Sequence, residues 1–356
     1  ILLWRAILQW LGGIGIILMA ITLMPIMNVG GMQLFKISNS DSSEKLLPKS
    51  KEIALRLIYV YLALTTLCAL TYKIFGMSFF DSITHSMTTI ATGGFSNYND
   101  SIGHFNSLYI EISSMIFIVL GSLPFIAYIK FLNGNRSIFF SDIQIKSFIK
   151  IILSSVFLLT VYMFFQINDL SQINLRPIFF NVISILTGTG YVTGEFDVWG
   201  NFPLVFFLIL MFIGGCAGST TCGLRMARIQ VLIANAKTQV YKLLFPHAVV
   251  VPHYNKKPIP ETVAESVMGF FFLYILAFAI ISCLLGSLGL DFITSISGAA
   301  SAIGNVGPGL GETIGPNGSF QSIPDLGKLL LCFGMILGRL EIFAILVMFS
   351  PSFWKN

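Results

Sequence analysis

The amino-acid sequence predicts an all-α, polytopic membrane protein, and three observations carry that expectation. Of 356 residues, 55% are apolar and only 10% charged, with a mean hydropathy of +0.83, whereas a soluble globular chain carries about a quarter of its residues as Asp, Glu, Lys or Arg. So few charges cannot cover a water-soluble particle of this size. Apolar stretches near the ~20 residues that cross ~30 Å of hydrocarbon recur along the chain. Short, half-polar stretches alternate with them in a repeating order. Soluble enzymes, nucleic-acid binders and disordered proteins are thereby excluded.

The long apolar segments are 2–27, 53–72, 108–129, 151–167, 202–232, 268–288 and 329–350. Segment 151–167 is at the short limit for a span, and 202–232 is too long and is interrupted by Gly, Ser and Thr. Between them lie segments 79–91, 177–186 and 292–303, rich in Ser, Thr and small residues, each running into a glycine cluster. Backbone that leaves the helix at membrane depth must be buried in protein or line water, because lipid cannot satisfy its hydrogen bonds. These half-length helices are therefore expected to be re-entrant.

The order then repeats. A spanning segment, a short helix, a glycine cluster and a second spanning segment occur three times, anchored on Gly94, Gly190 and Gly307. Aligned there, the clusters read Thr88-Thr-Ile-Ala-Thr-Gly-Gly94-Phe, Ser184-Ile-Leu-Thr-Gly-Thr-Gly190-Tyr and Ser301-Ala-Ile-Gly-Asn-Val-Gly307-Pro. Internal repetition of this kind sets the architecture. The units are 1–52 (a second helix and the loop after it), 53–146, 147–262 and 263–356. An equivalent first glycine would fall just upstream of residue 1. The expected fold is repeated helix–pore loop–helix units around a pseudo-four-fold pore, three of them complete.

Ile1-Leu-Leu-Trp-Arg5 offers no charged n-region before its apolar run and does not read as a signal peptide, so residue 1 is expected to lie inside a longer sequence. The cysteines (Cys68, Cys216, Cys222, Cys283 and Cys332) fit neither a zinc site nor a disulfide framework and read as buried thiols. The four histidines are too scattered for a metal centre. If the glycine clusters share one side of the membrane, sixteen of the 21 Lys and Arg lie on the opposite, loop side. The positive-inside rule makes that side cytoplasmic. Nine of the sixteen acids, Asp197 and Glu195 among them, fall on the cluster side, which would concentrate cations at an outer mouth. Ordinary solvated loop charge accounts for any single one of them.

Selectivity filters replace the hydration shell of a cation with rings of backbone carbonyls. Aiming consecutive carbonyls inward needs backbone angles that glycine adopts without a Cβ penalty, and a helix to hold the strand. Thr187-Gly-Thr-Gly-Tyr191 fits such a filter in composition and setting, and the clusters at Gly94 and Gly307 are looser versions. A single cluster would read more simply as a tight turn; three at equivalent positions favour a ring around an axis.

The chain resembles the Trk/Ktr/HKT superfamily of potassium uptake proteins, TrkH branch. The resemblance rests on Trp4-Arg-Ala-Ile-Leu-Gln-Trp-Leu-Gly-Gly-Ile-Gly15, the three clusters, Gly214-Gly-Cys-Ala-Gly-Ser-Thr-Thr-Cys-Gly223, Gly338-Arg-Leu-Glu341 and Phe349-Ser-Pro-Ser-Phe-Trp354. It spans essentially the whole chain, but the family's first outer helix, pore helix and filter strand have no counterpart after Ile1. The resemblance implies K⁺ as the transported ion, held at Ala91, Thr92, Gly93, Gly94, Thr187, Gly188, Thr189, Gly190, Gly304, Asn305, Val306 and Gly307, with no other metal and no cofactor. It also implies an intramembrane gate beneath the filter made of Gly214, Gly215, Ala217, Gly218, Ser219, Thr220, Thr221 and Gly223, with Arg339 pointing at it. A homodimer in the bacterial inner membrane and a cytoplasmic nucleotide-binding regulatory ring (TrkA-like) follow as partners, with lipid around the spans and no nucleic acid. From the residues alone, 202–232 could instead be a long helix whose small residues pack tightly, as those at Gly12, Gly13 and Gly15 do. Arg339 and Glu341 lie two apart and share no helix face, so each needs another partner. A Na⁺/H⁺-coupled secondary transporter with broken helices and a non-functional truncated remnant are the alternative functions.

Overall fold

The computed structural model describes residues 1–22, 46–167, 174–255, 257–340, 342–349 and 351–354. Glu341 and residues 23–45 of the first unit lie outside them.

Two long helices, α1 (Leu2–Thr22) and α2 (Leu46–Ile74), open the chain. Gly76, at φ +105°, turns it back into α3 (Phe79–Ile90). Ser78 starts that helix by a reciprocal cap: its Oγ accepts the Asp81 amide at 3.0 Å and donates to the Asp81 carboxylate at 2.6 Å. Then follow α4 (Leu108–Ser122), α5 (Phe125–Leu132), the short α6 (Ile138–Ser141) and α7 (Ile143–Ile167). The third unit holds α8 (Leu175–Thr187), capped by Asn174, then α9 (Asn201–Ile213) and α10 (Met226–Leu244). A small antiparallel pair, β1 (His253–Tyr254) and β2 (Lys257–Pro258), leads into α11 (Glu261–Ser287). The Asp291 carboxylate accepts the Thr294 amide at 3.0 Å to begin α12 (Phe292–Gly304), and α13 (Asp325–Arg339) and α14 (Ile342–Met348) close the fold.

Among the described residues four helices (α1, α2, α7 and α11) are long and apolar enough to cross a membrane, five if the bent pair α4–α5 counts as one span. Only 22–28% of the residues in those four windows are buried, so most of each surface is left for lipid, as the exposed Leu67, Leu70, Phe157 and Phe272 illustrate. Inside, one apolar core built on Tyr61, Phe125, Phe148, Phe180 and Phe207 joins α1 through α9. A second, around Tyr274, Ile281, Ile303 and Leu337, underlies α11 to α13. A third packs α10 and the β pair against the start of α11 through Val231, Tyr254 and Val263.

Two spans expected as single helices are broken. Segment 108–129 splits into α4 and α5, which meet at 88°. Pro124 has no amide hydrogen and its ring obstructs a continuing helix, and Leu123 is extended. The Phe125 amide bonds instead to the Gly218 carbonyl at 2.9 Å, from a loop of the next unit. Segment 329–350 divides into α13 and α14, with α13 ending at Arg339. The tight packing expected of three glycines on α1 holds for Gly13 alone, where an added Cβ would lie 3.1 Å from Ala91; Gly12 and Gly15 have open space around them.

Candidate functional site

The short helices α3, α8 and α12 end in the same way. Within two residues of each helix end the chain enters the left-handed region: Thr92 at φ +49°, after a right-handed Ala91, Gly188 at +71° and Asn305 at +53°. The amide of that residue bonds three residues back, Thr92 to Thr89, Gly188 to Ile185 and Asn305 to Ala302. The next amide bonds five residues back at 2.9 Å in every case: Gly93 to Thr88, Thr189 to Ser184, Val306 to Ser301. This is the two-bond left-handed cap that satisfies a helix's last carbonyls. Each cluster therefore turns the chain, as its glycines alone suggest, and then sends a short strand away from the helix end. The negative end of a helix dipole faces each turn. Gly94, Gly190 and Gly307 then take φ of +71°, +79° and +116°.

Hydroxyls at equivalent places pin the strands. The Thr88 hydroxyl donates to the Phe95 carbonyl at 2.9 Å, the Ser184 hydroxyl to the Tyr191 carbonyl at 2.6 Å, and Ser301 Oγ accepts the Gly307 amide at 3.1 Å. The three strands lie side by side. A Cβ added at Gly94 would fall 1.8 Å from the Thr189 carbonyl oxygen, and one at Gly190 would fall 2.0 Å from that of Val306. The structure thus gathers Ala91, Thr92, Gly93 and Gly94, Thr187, Gly188, Thr189 and Gly190, and Gly304, Asn305, Val306 and Gly307 into one place.

A residue not singled out in the sequence, Gln9 of α1, reaches the second strand. Its Nε2 donates to the Gly93 carbonyl at 2.6 Å and its Oε1 accepts the Phe95 amide at 3.2 Å. The Arg5 guanidinium lies 4.2 Å over the Phe95 ring, and Gly13 meets Ala91. Arg5, Gln9 and Gly13 are four apart, so one stripe of α1 follows the strand; two polar residues at that interval in an apolar helix are the signal that could have found them.

Between α9 and α10 the chain forms an inserted loop, and every residue from Gly214 to Arg228 is buried. Its neck is closed by bonds from the Leu224, Arg225 and Met226 amides to Phe212, Ile213 and Gly215. Its tip meets the break between α4 and α5: the Cys216 amide bonds to the Ser122 carbonyl at 3.1 Å, and Gln144 Oε1 accepts the Ala217 amide at 3.0 Å. Ser219 satisfies the loop itself through the Cys216 carbonyl and Thr221. Thr220 lies within 3.1 Å of the carbonyls of both Ile90 and Gly121, and its hydroxyl accepts from Thr92 at 3.0 Å. The loop therefore touches the root of the second strand. Arg339 donates to the Thr220 carbonyl at 3.2 Å and to Cys222 Sγ. Gly214 and Gly223 at the neck, and Gly218 at the tip, take positive φ, and a Cβ at Gly214 would meet the Cys222 carbonyl at 2.1 Å.

A family model described as "TrkH: Cation transport protein" matches residues 1–356. This chain belongs to the TrkH cation transport protein family. Among curated relatives, the Trk system potassium uptake protein TrkI of Halomonas elongata is 42% identical over 355 residues, covering 99% of this chain and 72% of the relative. The Trk system potassium uptake protein TrkH of Escherichia coli K12 is 35% identical over 360 residues, 100% of this chain and 74% of its own. The crystal structure of the potassium transporter TrkH from Vibrio parahaemolyticus superposes with a TM-score of 0.88 at 33% identity, covering 99% of this chain and 73% of that one. The TrkH family consists of transport proteins, not enzymes, and this member is a polytopic, all-α protein of the bacterial inner membrane.

Proposed function

We infer that the protein takes up potassium ions across the bacterial inner membrane as a channel-like permeation subunit. The observation that most supports this reading is the threefold recurrence of one device: a half-length helix, a left-handed cap and a short strand, with successive strands in contact. In this reading dehydrated K⁺ is held by backbone carbonyls of 91–94, 187–190 and 304–307, and the helix dipoles of α3, α8 and α12 favour the cation. The remaining side, between Gly93 and Gly307, is the place for a first unit's strand. The units 1–52, 53–146, 147–262 and 263–356 follow that ring. Passage is passive, down the electrochemical gradient.

The inserted loop 214–223 is the gate, held across the path by Thr220 on the Ile90 and Gly121 carbonyls and by Arg339 on the Thr220 carbonyl. A fixed cation at Arg339 also repels a passing one. A homodimer and a cytoplasmic nucleotide-binding ring that moves the loop complete the proposal. The deciding experiment is ⁸⁶Rb⁺ and ²²Na⁺ uptake into proteoliposomes carrying the protein expressed from its own gene, with Gly190→Ser alongside. Rb⁺ uptake that excludes Na⁺, with Na⁺ leak in the variant, is the expected result. A variant that keeps its selectivity removes the filter assignment.

A further inference from the structure

The residue after each strand glycine differs among the three units: Phe95, Tyr191 and Pro308. Phe95 is partly exposed, whereas Tyr191 is fully buried. Its side chain crosses from the third strand to the helix behind the second, where its hydroxyl meets Thr88 Oγ1 at 2.6 Å and Thr89 Oγ1 at 3.2 Å. Thr89 continues to the Tyr72 hydroxyl at 2.9 Å, and Tyr72 to Ser114 at 2.9 Å, which donates to the Ile110 carbonyl. All five side chains are fully buried.

Proton counting orients the chain at its inner end. Thr88 has one hydroxyl proton and donates it to the Phe95 carbonyl at 2.9 Å. With that proton on the Phe95 carbonyl, Tyr191 donates to Thr88 Oγ1, and its oxygen also lies 3.2 Å from the His85 carbonyl, a second acceptor for it. One oxygen atom thus receives the tip of the third strand's tyrosine while holding the end of the second strand. The main chain of Tyr191 is held as well, by Ser184 of its own helix. The third strand is therefore tied at both its carbonyl and its side chain, and the second and third strands share an anchor in α3.

Resting on the filter assignment above, we propose that Tyr191 and Thr88 are positioning residues for ion discrimination: their shared anchor fixes the spacing of the second and third strands. A smaller, more strongly hydrated Na⁺ is stripped of water at no loss only if the carbonyls close in around it. Strands tied from behind cannot close in, and K⁺ is favoured. Neither Phe95 nor Pro308 carries a hydroxyl, so this tie belongs to one of the three strands and is legible only in the fold.

The test is the Rb⁺ to Na⁺ uptake ratio in proteoliposomes, again with the protein expressed from its own gene. Tyr191→Phe removes one oxygen atom and lowers the ratio about tenfold, the scale of one lost buried hydrogen bond. Half-saturation and competition by Na⁺ shift more than the maximal Rb⁺ rate. Thr88→Val lowers the ratio too, Thr88→Ser restores it, and Tyr191→Phe adds less on top of Thr88→Val than it costs alone, because both remove the 2.6 Å tie while the contacts to Thr89 and the His85 carbonyl are lost only with the tyrosine hydroxyl. Should Tyr191→Phe fail to elute as a folded species, the Thr88→Val and Thr88→Ser pair decides. If Gly190→Ser loses selectivity while Tyr191→Phe and Thr88→Val keep it, the anchor is overturned and the filter assignment stands. If Gly190→Ser keeps selectivity as well, both fall.

Discussion

The three capped loops and the inserted loop are built from the same residues, Gly with Ser and Thr, yet they are held in opposite ways. Each capped loop makes its turn on local bonds, from amides that reach three and five residues back into its own helix, and distant ties such as those of Gln9 and Tyr191 are added to the strands. The inserted loop is held at its tip by distant partners: Thr220 on Ile90 and Gly121, Gly218 on Phe125, Ala217 on Gln144, Arg339 on Thr220. Local bonds persist for as long as the helix does. Distant ones can be lost together while every helix stays folded. On the filter and gate roles proposed above, the comparison explains how one chain keeps a rigid element next to a movable one with so little change of composition.

The strongest way to break the comparison is to attack the rigid element. Gly94→Ser forces a side chain into a left-handed position and onto the Thr189 carbonyl, so it is expected to abolish Rb⁺ over Na⁺ selectivity or prevent folding, backbone strain alone being ~1–3 kcal/mol. Gly307→Ser is strained at φ +116° but has no atom nearer than 3.8 Å, so its loss is smaller. Equal losses in paired ⁸⁶Rb⁺ and ²²Na⁺ assays would mean that strand contact is not what matters.

Next in size is Arg339→Ala. It removes a charged donor from the inserted loop, a bond worth ~1.5–3 kcal/mol, and Rb⁺ flux is expected to rise about tenfold with selectivity intact. A drop in flux would remove the loop from the path. Thr220→Val removes the hydroxyl shared between the Ile90 and Gly121 carbonyls while the residue's amide stays on Gly121, and should raise flux only a few-fold, since a neutral bond contributes ~0.5–1.5 kcal/mol. Because Thr92 also loses its partner, a small Na⁺ leak is expected here and not in Arg339→Ala; identical ion ratios in the two variants would contradict that link.

The smallest effect belongs to the acids expected at an outer mouth. Partial burial, with Glu195 adding to it, raises the pKa of Asp197 above the usual carboxylate value. As external pH falls, Asp197 therefore loses its charge before an ordinary carboxylate does, the attraction for cations weakens, and uptake declines. Asp197→Asn should lower uptake slightly at neutral pH and flatten that decline; an unchanged pH profile would argue against a role for this acid.

What could be read in advance follows the same division. The half-helices and their glycine turns were legible because a local cap leaves a local trace: Ser, Asn or Asp before, Gly after, small residues between. The break in 202–232 was legible for the same reason. The partners of that loop were not. Segment 108–129 read as one span although it contains Pro124, because nothing nearby says that Gly218 will take the Phe125 amide. Gln9 was not singled out, and Tyr191 read only as the end of a filter motif, until the fold brought Gly93 and Thr88 to them. Contacts between residues roughly a hundred apart leave no periodicity behind.

The closed neck of the inserted loop has one more consequence. Three amide bonds tie Leu224, Arg225 and Met226 back to Phe212, Ile213 and Gly215, so the tip can swing while the ends of α9 and α10 stay where they are. In the proposed gate, that motion is mechanically insulated from the bilayer: no lipid-facing surface has to slide for the tip to leave its seat. Opening and closing of such a gate should then be timed by the lifetime of the few main-chain and side-chain bonds at its tip and be nearly indifferent to membrane viscosity or thickness.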